Sequence, residues 1–268
     1  MLAALPGLCA QGTRFRPAPS YVAGGKADQA EGARILDEFR ATGIAGTYWL
    51  SFELRVMPRQ GEEHVLAGEL FGTSSEEGPL TRLTVGSTRW LIQSGSRPVA
   101  WVRPDQGNVH EATTAETLQP VAGTDLTLFD LQMPFLHWTD FVYEGLAKVR
   151  GRPAHQFVLY PPADFVQARP NLSGVRVFLD TQFQALVQVE QLGPDGKAVK
   201  TVTLLDLKKV GDQWLVKSID LRNLVTRDKT RLTFKAAALN LALPANTFTP
   251  AQLAEPPPAV PREKVQEL

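Results

Sequence analysis

The chain has 268 residues, and its 28 Lys and Arg residues balance its 28 Asp and Glu residues, so the formal net charge is zero. No long-range electrostatic field would attract nucleic acid or an anionic membrane, and we expect no nucleic-acid partner. The 21 glycines and 20 prolines are spread over many short intervals, which favours many turns between short strands over a helical bundle.

The first ten residues are apolar and end in alanine, like the second half of a secretory signal peptide, but they lack its positively charged start. We interpret residues 1–10 as a partial signal peptide of an exported, periplasmic protein. The alternative is an apolar terminus with no role in export. The single cysteine, Cys9, follows Leu8 and lacks the small preceding residue of a lipidation signal. Cleavage after Ala10 would remove all cysteine chemistry from the mature chain.

After a polar leader at residues 11–25, the apolar spacing predicts a helix at residues 27–42, with Asp28 as its cap and Gly43 as its end. Residues 46–57 then alternate between apolar and polar side chains, which is typical of an antiparallel strand with one buried face. This pattern places Leu50, Phe52 and Leu54 on the buried face and Ser51, Glu53 and Arg55 on the solvent face. Further short strands are predicted at residues 64–71, 80–85, 90–94, 98–103, 109–113 and 154–160.

The segment from residue 175 to residue 253 repeats one unit, a β-branched apolar run followed by a turn. Gly193 and Pro194 begin a tight turn between two of these runs. The repeats predict five consecutive antiparallel strands, and about eleven to twelve strands in the whole chain.

Between the two series, residues 126–138 contain eight apolar side chains around Pro134, too many for a surface loop and too interrupted for one strand. We predict short helices against the concave face of the sheet, acting either as a permanent core cap or as a movable lid. The predicted lid residues are Leu126, Leu128, Phe129, Leu131, Phe135, Leu136 and Trp138.

We therefore predict a mainly β fold: a single domain at residues 26–253 that forms an incomplete antiparallel β-barrel with a helical lid or plug, followed by a disordered tail at residues 254–268. A barrel of about eleven strands is wider than its own side chains can fill, which leaves a hydrophobic cavity suited to acyl chains. For Trp90, Trp101 and Trp214, core packing is favoured over a ligand cage. The residues predicted to line the cavity are Leu50, Phe52, Leu54, Trp90, Trp101, Val177, Val187, Val189, Leu232 and Phe234.

Sequence patterns of catalysis are missing. His110 and Glu111 do not continue into a zinc-protease motif, and the other histidines are isolated in the sequence. There is no nucleophile elbow, dinucleotide-binding motif or phosphate loop. We expect no enzymatic activity, no cofactor and no metal. A hydrolase would require several of the four histidines to converge on carboxylates.

The order of turn and strand residues in the second half of the chain resembles the bacterial outer membrane lipoprotein-sorting proteins, which are relatives of the periplasmic lipoprotein carrier. The resemblance covers roughly residues 120–253 and depends on order, since each element alone is common. The family usually has a proline after the middle of the tryptophan strand, where this chain continues with Leu215, Val216 and Lys217. The matching elements are Gly123 to Leu126, Gly151 to Pro153, Val175 to Asp180, Gly193 to Lys197, Asp206, Trp214, Asn223, Thr230 to Phe234, Leu243 to Ala245, Phe248, Thr249 and Leu253.

The resemblance implies a periplasmic, non-enzymatic carrier or chaperone that binds lipid or lipoprotein acyl chains for sorting to the outer membrane. It also implies an inner- or outer-membrane protein partner, and we expect a monomer. The alternative is an envelope sensor or interaction module that uses the same fold to bind a membrane protein, as related envelope-stress regulators do.

Overall fold

The structure, a computed structural model, describes residues 16–17, 27–182 and 185–268. These residues form one antiparallel sheet of 14 strands in the spatial order β6-β5-β4-β3-β2-β1-β13-β12-β11-β10-β9-β8-β7, with β14 paired to β13. β6 and β7 are the two ends of this order, so the described sheet is not closed into a barrel. The strands are β1 (Tyr48–Met57), β2 (His64–Ser75), β3 (Gly78–Val85), β4 (Thr88–Gln93), β5 (Val99–Arg103), β6 (His110–Glu111), β7 (Phe141–Val149), β8 (Arg152–Leu159), β9 (Gly174–Asp180), β10 (Leu186–Leu192), β11 (Ala198–Val210), β12 (Gln213–Asn223), β13 (Lys229–Ala238) and β14 (Gln266–Glu267).

The predicted mainly β fold is confirmed, and so are the five consecutive strands of the second half, β9 to β13. The two strands of the described residues that the sequence did not predict are β7 and β14. The sequence pattern misses β7 because a bulge at Glu144, opposite β8, shifts the alternation of its side chains by one residue. Gly145 accommodates this bulge with a φ of +95°.

Among the described residues, four α-helices accompany the sheet: α1 (Gln29–Arg40), α2 (Thr114–Thr117), α3 (Leu128–Gln132) and α4 (Ala163–Ala168). As predicted, Asp28 caps α1, and its carboxylate accepts hydrogen bonds from the N–H groups of Ala30 and Glu31. α1 packs against β7 at Gly32, where an added Cβ would lie 2.4 Å from Cβ of Tyr143. Glycine therefore allows this close approach of the helix to the sheet.

Two core clusters cover one face of the sheet, which we call the concave face, and the opposite face is called the convex face. Leu50, Phe52 and Leu54 belong to the first, as the alternation of β1 predicts. α1 contributes Leu36 to the second. The first core cluster consists of Leu50, Phe52, Leu54, Leu83, Val85, Trp90, Ile92, Ala100, Val121, Leu126, Leu128, Val210, Leu215, Leu221, Leu232, Phe234 and Ala237. The second core cluster consists of Leu36, Phe129, Phe135, Leu136, Trp138, Tyr143, Phe157, Leu159, Leu172, Val175, Val177, Leu179 and Val189.

The prediction of a disordered tail at residues 254–268 is wrong. β14 pairs with Ala236 and Ala237 of β13, and the N–H of Leu268 donates to the carbonyl of Lys235 at 2.8 Å. β12 pairs with β13 only as far as Ser218 and Thr233, which leaves backbone groups of β13 open on that side. β14 pairs with these groups through its own backbone, which every residue type possesses. The polar, proline-rich composition of the tail therefore did not predict that it is ordered.

The tail also packs on the convex face of the sheet. The guanidinium of Arg82, which is buried, donates to the carbonyl of Glu255 at 2.6 Å. Arg89 donates to the carbonyls of Leu253 and Ala254, both at 3.0 Å. We call residues 244–268 the C-terminal arm. In the described part of the chain, none of the helices has the length and apolar character needed to cross a membrane. The predicted signal peptide, residues 1–10, lies outside the described residues, as does the polar leader except for residues 16–17.

Candidate ligand-binding site

Residues 126–138, which we call the lid segment, contain α3 and a turn of 3-10 helix at Pro134–His137. Thr127 and Asp130 form a capping box at the start of α3, in which Asp130 Oδ2 accepts from the N–H of Thr127 at 2.9 Å. Pro134 cannot continue α3, and Met133 turns the chain with a φ of +47°. Local chemistry thus explains why the segment forms two short helical turns.

The lid segment packs on both core clusters. Leu126 and Leu128 belong to the first, and Leu131 is half-buried against it. Phe129 and Trp138 belong to the second and form an aromatic group with Phe165 of α4. The ring centre of Phe165 lies 5.2 Å from that of Phe129 and 5.5 Å from that of Trp138. The other lid residues of the second cluster are Phe135 and Leu136.

Most residues predicted to line a cavity lie together on the concave face, where they contact one another and the lid segment. The first cluster holds Leu50, Phe52, Leu54, Trp90, Leu232 and Phe234. The second cluster holds Val177 and Val189. In this closed arrangement, side chains of the protein itself occupy the space between sheet and lid segment.

Two of the predicted cavity residues do not lie on this face. Trp101 follows Ala100, which belongs to the first cluster, so its half-buried side chain points to the convex face. Val187 is the extra residue of a β-bulge between Leu186 and Gln188. The bulge turns Val187 toward a separate cluster with Phe178, opposite to Val189. The alternation of side chains along the sequence cannot reveal such a bulge.

The core position predicted for Trp214 is also wrong, because its side chain is 55% exposed. Trp214 lies near the end of the β11–β12 hairpin. This end extends beyond the parts of β10 and β13 that pair with the hairpin. Neighbouring strands therefore do not cover it.

A row of polar side chains crosses the concave face under the lid segment. Asn223, Lys200 and Gln191 are cross-strand neighbours on β12, β11 and β10. Each of the three contacts either Asp125, which directly precedes the lid segment, or Asp130, which lies in it. The amide of Asn223 donates to Asp125 Oδ1 at 2.9 Å, and the amide of Gln191 donates to Asp130 Oδ1 at 2.6 Å. The Nζ of Lys200 forms an ion pair with Asp130 Oδ2.

These polar contacts are enclosed. The side chain of Asp130 is 3% exposed and that of Lys200 is 11% exposed. Arg169 extends the network, since its Nη2 donates to Gln191 Oε1 at 2.6 Å and its guanidinium carbon lies 5.2 Å from the ring centre of Phe129. Burial lowers the pKa of Arg169, and the charge of Asp130 opposes this effect. Sequence reasoning did not find this network, because single polar residues within strands carry no recognisable spacing.

A groove of about 360 Å³ lies beside the lid segment, between β5 and α4. Phe129, Trp138 and Phe165 line its apolar part, and Glu111 and His137 contribute polar groups. Burial and the nearby charge of Arg40 lower the pKa of His137. Arg40 also fastens the lid segment, because its Nε donates to the carbonyl of Leu136 at 2.6 Å.

The histidines have separate surroundings. His110 Nε2 lies 2.9 Å from Glu116 Oε1, and His155 Nδ1 lies 2.8 Å from the hydroxyl of Tyr143. Among the residues that the structure describes, no three His, Cys, Asp or Glu side chains are grouped to hold a metal ion.

Solved structures resemble this chain over most of its length. A domain assigned to outer membrane lipoprotein sorting from Vibrio parahaemolyticus has a TM-score of 0.74 and 19% identity, covering 85% of this chain and 100% of that one. A DUF1329 family protein from Desulfovibrio piger has a TM-score of 0.72 and 12% identity, covering 84% and 98%. A LolA superfamily protein from Nitrosomonas europaea has a TM-score of 0.60 and 12% identity, covering 81% and 96%. The resemblance to lipoprotein-sorting proteins that the sequence predicts is confirmed at the level of the fold.

No curated protein has a significant sequence match to the chain. A family model described as "Uncharacterized protein" matches residues 100–255, more than half of the 268 residues. This range contains the lid segment, the strands β7 to β13 and part of the C-terminal arm. The chain belongs to that family, and its fold is that of the outer membrane lipoprotein-sorting proteins.

Proposed function

We propose that the protein is a non-enzymatic carrier that binds the acyl chain of a lipid or lipoprotein between the concave face and the lid segment. One observation supports this proposal above the others. The lid segment crosses both core clusters as a separate layer, with Leu128 in the first and Phe129 in the second. An acyl chain that replaced this layer would bury the same apolar surface.

The energetics favour replacement of the lid segment by an acyl chain over opening of the lid segment in water. Exposure of apolar surface costs about 25 cal/mol for each Å², so an open lid is unfavourable in water. A bound acyl chain would cover the concave face in place of the lid and so shift the population toward the open form. The lid segment can respond in this way because it is joined to the sheet by loops and does not take part in the strand pairing.

The proposed compartment is the periplasm, which agrees with the apolar N-terminal residues and with the role that the names of the similar structures suggest for those proteins. Transfer of the cargo would involve an inner- or outer-membrane protein partner. The sensor or interaction module stays an alternative prediction.

Displacement of a fluorescent acyl probe by lipid extract tests the proposal. We expect the folded protein to bind the probe with saturation. Val189→Phe should weaken binding by about tenfold, because the added ring occupies the concave face. Val187→Phe is the matched control, since it adds the same ring to the same strand on the opposite face, and it should leave the affinity unchanged. Failure of the folded wild-type protein to bind any acyl probe would refute the carrier proposal.

A further inference from the structure

The polar network under the lid segment divides between two parts of the molecule. Asp130 belongs to the lid, whereas Lys200 and Gln191 belong to adjacent strands of the sheet and Arg169 ends α4. The two oxygens of the Asp130 carboxylate are shared between the sheet residues. Oδ1 accepts from Gln191 at 2.6 Å, and Oδ2 pairs with Lys200.

Displacement of the lid would carry this carboxylate away from its partners. Lys200 and the amide of Gln191 would then remain on the concave face without the acceptor that they bind in the closed form. A buried charge that loses its partner is strongly unfavourable, and an acyl chain alone offers no acceptor. A ligand that opens the lid and also carries an oxyanion would restore both contacts.

An apolar row beside this network suits the alkyl chain of such a ligand. This row consists of Leu221, Val202 and Val189, which lie two residues along their strands from Asn223, Lys200 and Gln191, and it continues to Val177 on β9. A charged group at Lys200 would therefore continue directly into an apolar surface. Arg169 adds a second positive charge, joined to Gln191 by a hydrogen bond of 2.6 Å.

We propose that Lys200, Gln191 and Arg169 form a headgroup site for an anionic amphiphile, an acyl chain that carries a carboxylate or a phosphate, and that Asp130 occupies this site in the closed form. This inference rests on the proposed carrier function and adds a requirement for negative charge in the cargo. The geometry suits both anions, because each presents two oxygens to the two donors.

The test compares three ligands with twelve carbons each: dodecanoate, dodecyl phosphate and dodecanol. Each displaces a neutral fluorescent acyl probe from the full-length protein. We expect at least one anionic ligand to bind about tenfold or more tightly than dodecanol, as one charged hydrogen-bonded contact allows. The two anionic ligands distinguish a carboxylate from a phosphate, and weak or no displacement by inorganic phosphate would show that the chain is needed.

Variants test whether the preference for an anion arises at the proposed headgroup site. Lys200→Met should lower the affinity for the preferred anionic ligand by about tenfold without weakening dodecanol, because it also removes the charge that a neutral ligand leaves without a partner. Lys200→Arg should retain the preference. Asp130→Asn should increase the affinity for the anionic ligand, because the competing internal carboxylate is lost. Lys209→Met, an exposed lysine on the same strand, is the matched control and should behave as wild type.

Equal affinity of the wild-type protein for dodecanol and both anions would overturn the headgroup site while leaving the carrier function intact. The same holds if Lys200→Met weakens dodecanol and anions equally. If Lys200→Met does not fold, Asp130→Asn decides, since an unchanged or lower affinity for the anion would contradict the role of Asp130. A protein that binds neither the probe nor any of the three ligands would refute the carrier function itself.

Discussion

Phe52 is packed tightly within the first core cluster. Its side chain is 3% exposed, its ring centre lies 6.0 Å from that of Phe234 in an edge-on arrangement, and an added Cβ on Gly68 would lie 2.4 Å from its ring. Phe52→Ala should therefore lower the free energy of unfolding by about 3 to 5 kcal/mol, because it removes buried contacts and leaves a cavity. Urea denaturation of the variant and the wild-type protein measures this loss.

Glu53→Ala is the matched control on the opposite face of the same strand. Glu53 forms an exposed ion pair with Lys235, in which Nζ and Oε2 are 3.3 Å apart. Its removal should change the free energy of unfolding by no more than about 0.5 kcal/mol. A larger loss for Glu53→Ala than for Phe52→Ala would contradict the assignment of the two faces.

His155 should make stability depend on pH. Burial lowers its pKa, Glu31 opposes that effect, and Arg34 adds to it. Because the folded-state pKa lies below that of the unfolded chain, the unfolded state binds more protons as the pH falls. The contribution of neutral His155 to stability is complete above about pH 6.5 and is lost as the pH falls through the folded-state pKa.

We expect the free energy of unfolding to decrease on acidification from about pH 7 to pH 5, and His155→Gln to reduce this decrease. Urea denaturation at a series of pH values provides the comparison. An unchanged pH dependence in His155→Gln would contradict the lowered pKa.

At the scale of elements, β13 has three partners. It pairs with β1 along most of its length, with β12 up to Ser218 and with β14 beyond that point. The Nζ of Lys217 also donates to the carbonyls of Phe234 and Leu268, so it links β12 both to β13 and to the end of the C-terminal arm. The C-terminal arm therefore completes the sheet at the place where β12 diverges.

Truncation after Leu253 should lower Tm by about 4 °C or more, because it removes β14 and the carbonyl of Glu255 that Arg82 and Arg89 bind. Thermal unfolding followed by circular dichroism measures the shift. Glu263→Ala, an exposed position in the same arm, should leave Tm unchanged. An unchanged Tm after truncation would mean that the arm adds nothing to the stability of the sheet.

At the scale of the whole molecule, the lid segment is either a movable layer or a permanent cap, and hydrogen exchange distinguishes the two. With saturating acyl ligand, amides of residues 126–138 should exchange faster, because the ligand replaces the lid on the core clusters. Amides of residues 244–255, the part of the C-terminal arm that packs on the convex face, should be unaffected. Slower or unchanged exchange in the lid segment would favour a permanent cap.

The sequence by itself determined the features that depend on local chemistry. Alternation assigned the faces of β1, the turn at Gly193 separated β10 from β11, and the crowding of apolar residues around Pro134 identified the lid segment. Each of these signals comes from neighbouring residues, whose side-chain directions follow from the backbone period.

Only the tertiary structure decided what depends on contacts between distant segments. The bulge in β7 interrupted the alternation of its side chains and the bulge in β10 reversed the direction of Val187, and no local pattern marks a bulge before its partner strand is known. The C-terminal arm gained order from open backbone groups of β13. Lys200 and Gln191 became members of an enclosed polar network only where the sheet brought them beneath Asp130, because the pairing of a buried charge depends on partners far away in the sequence.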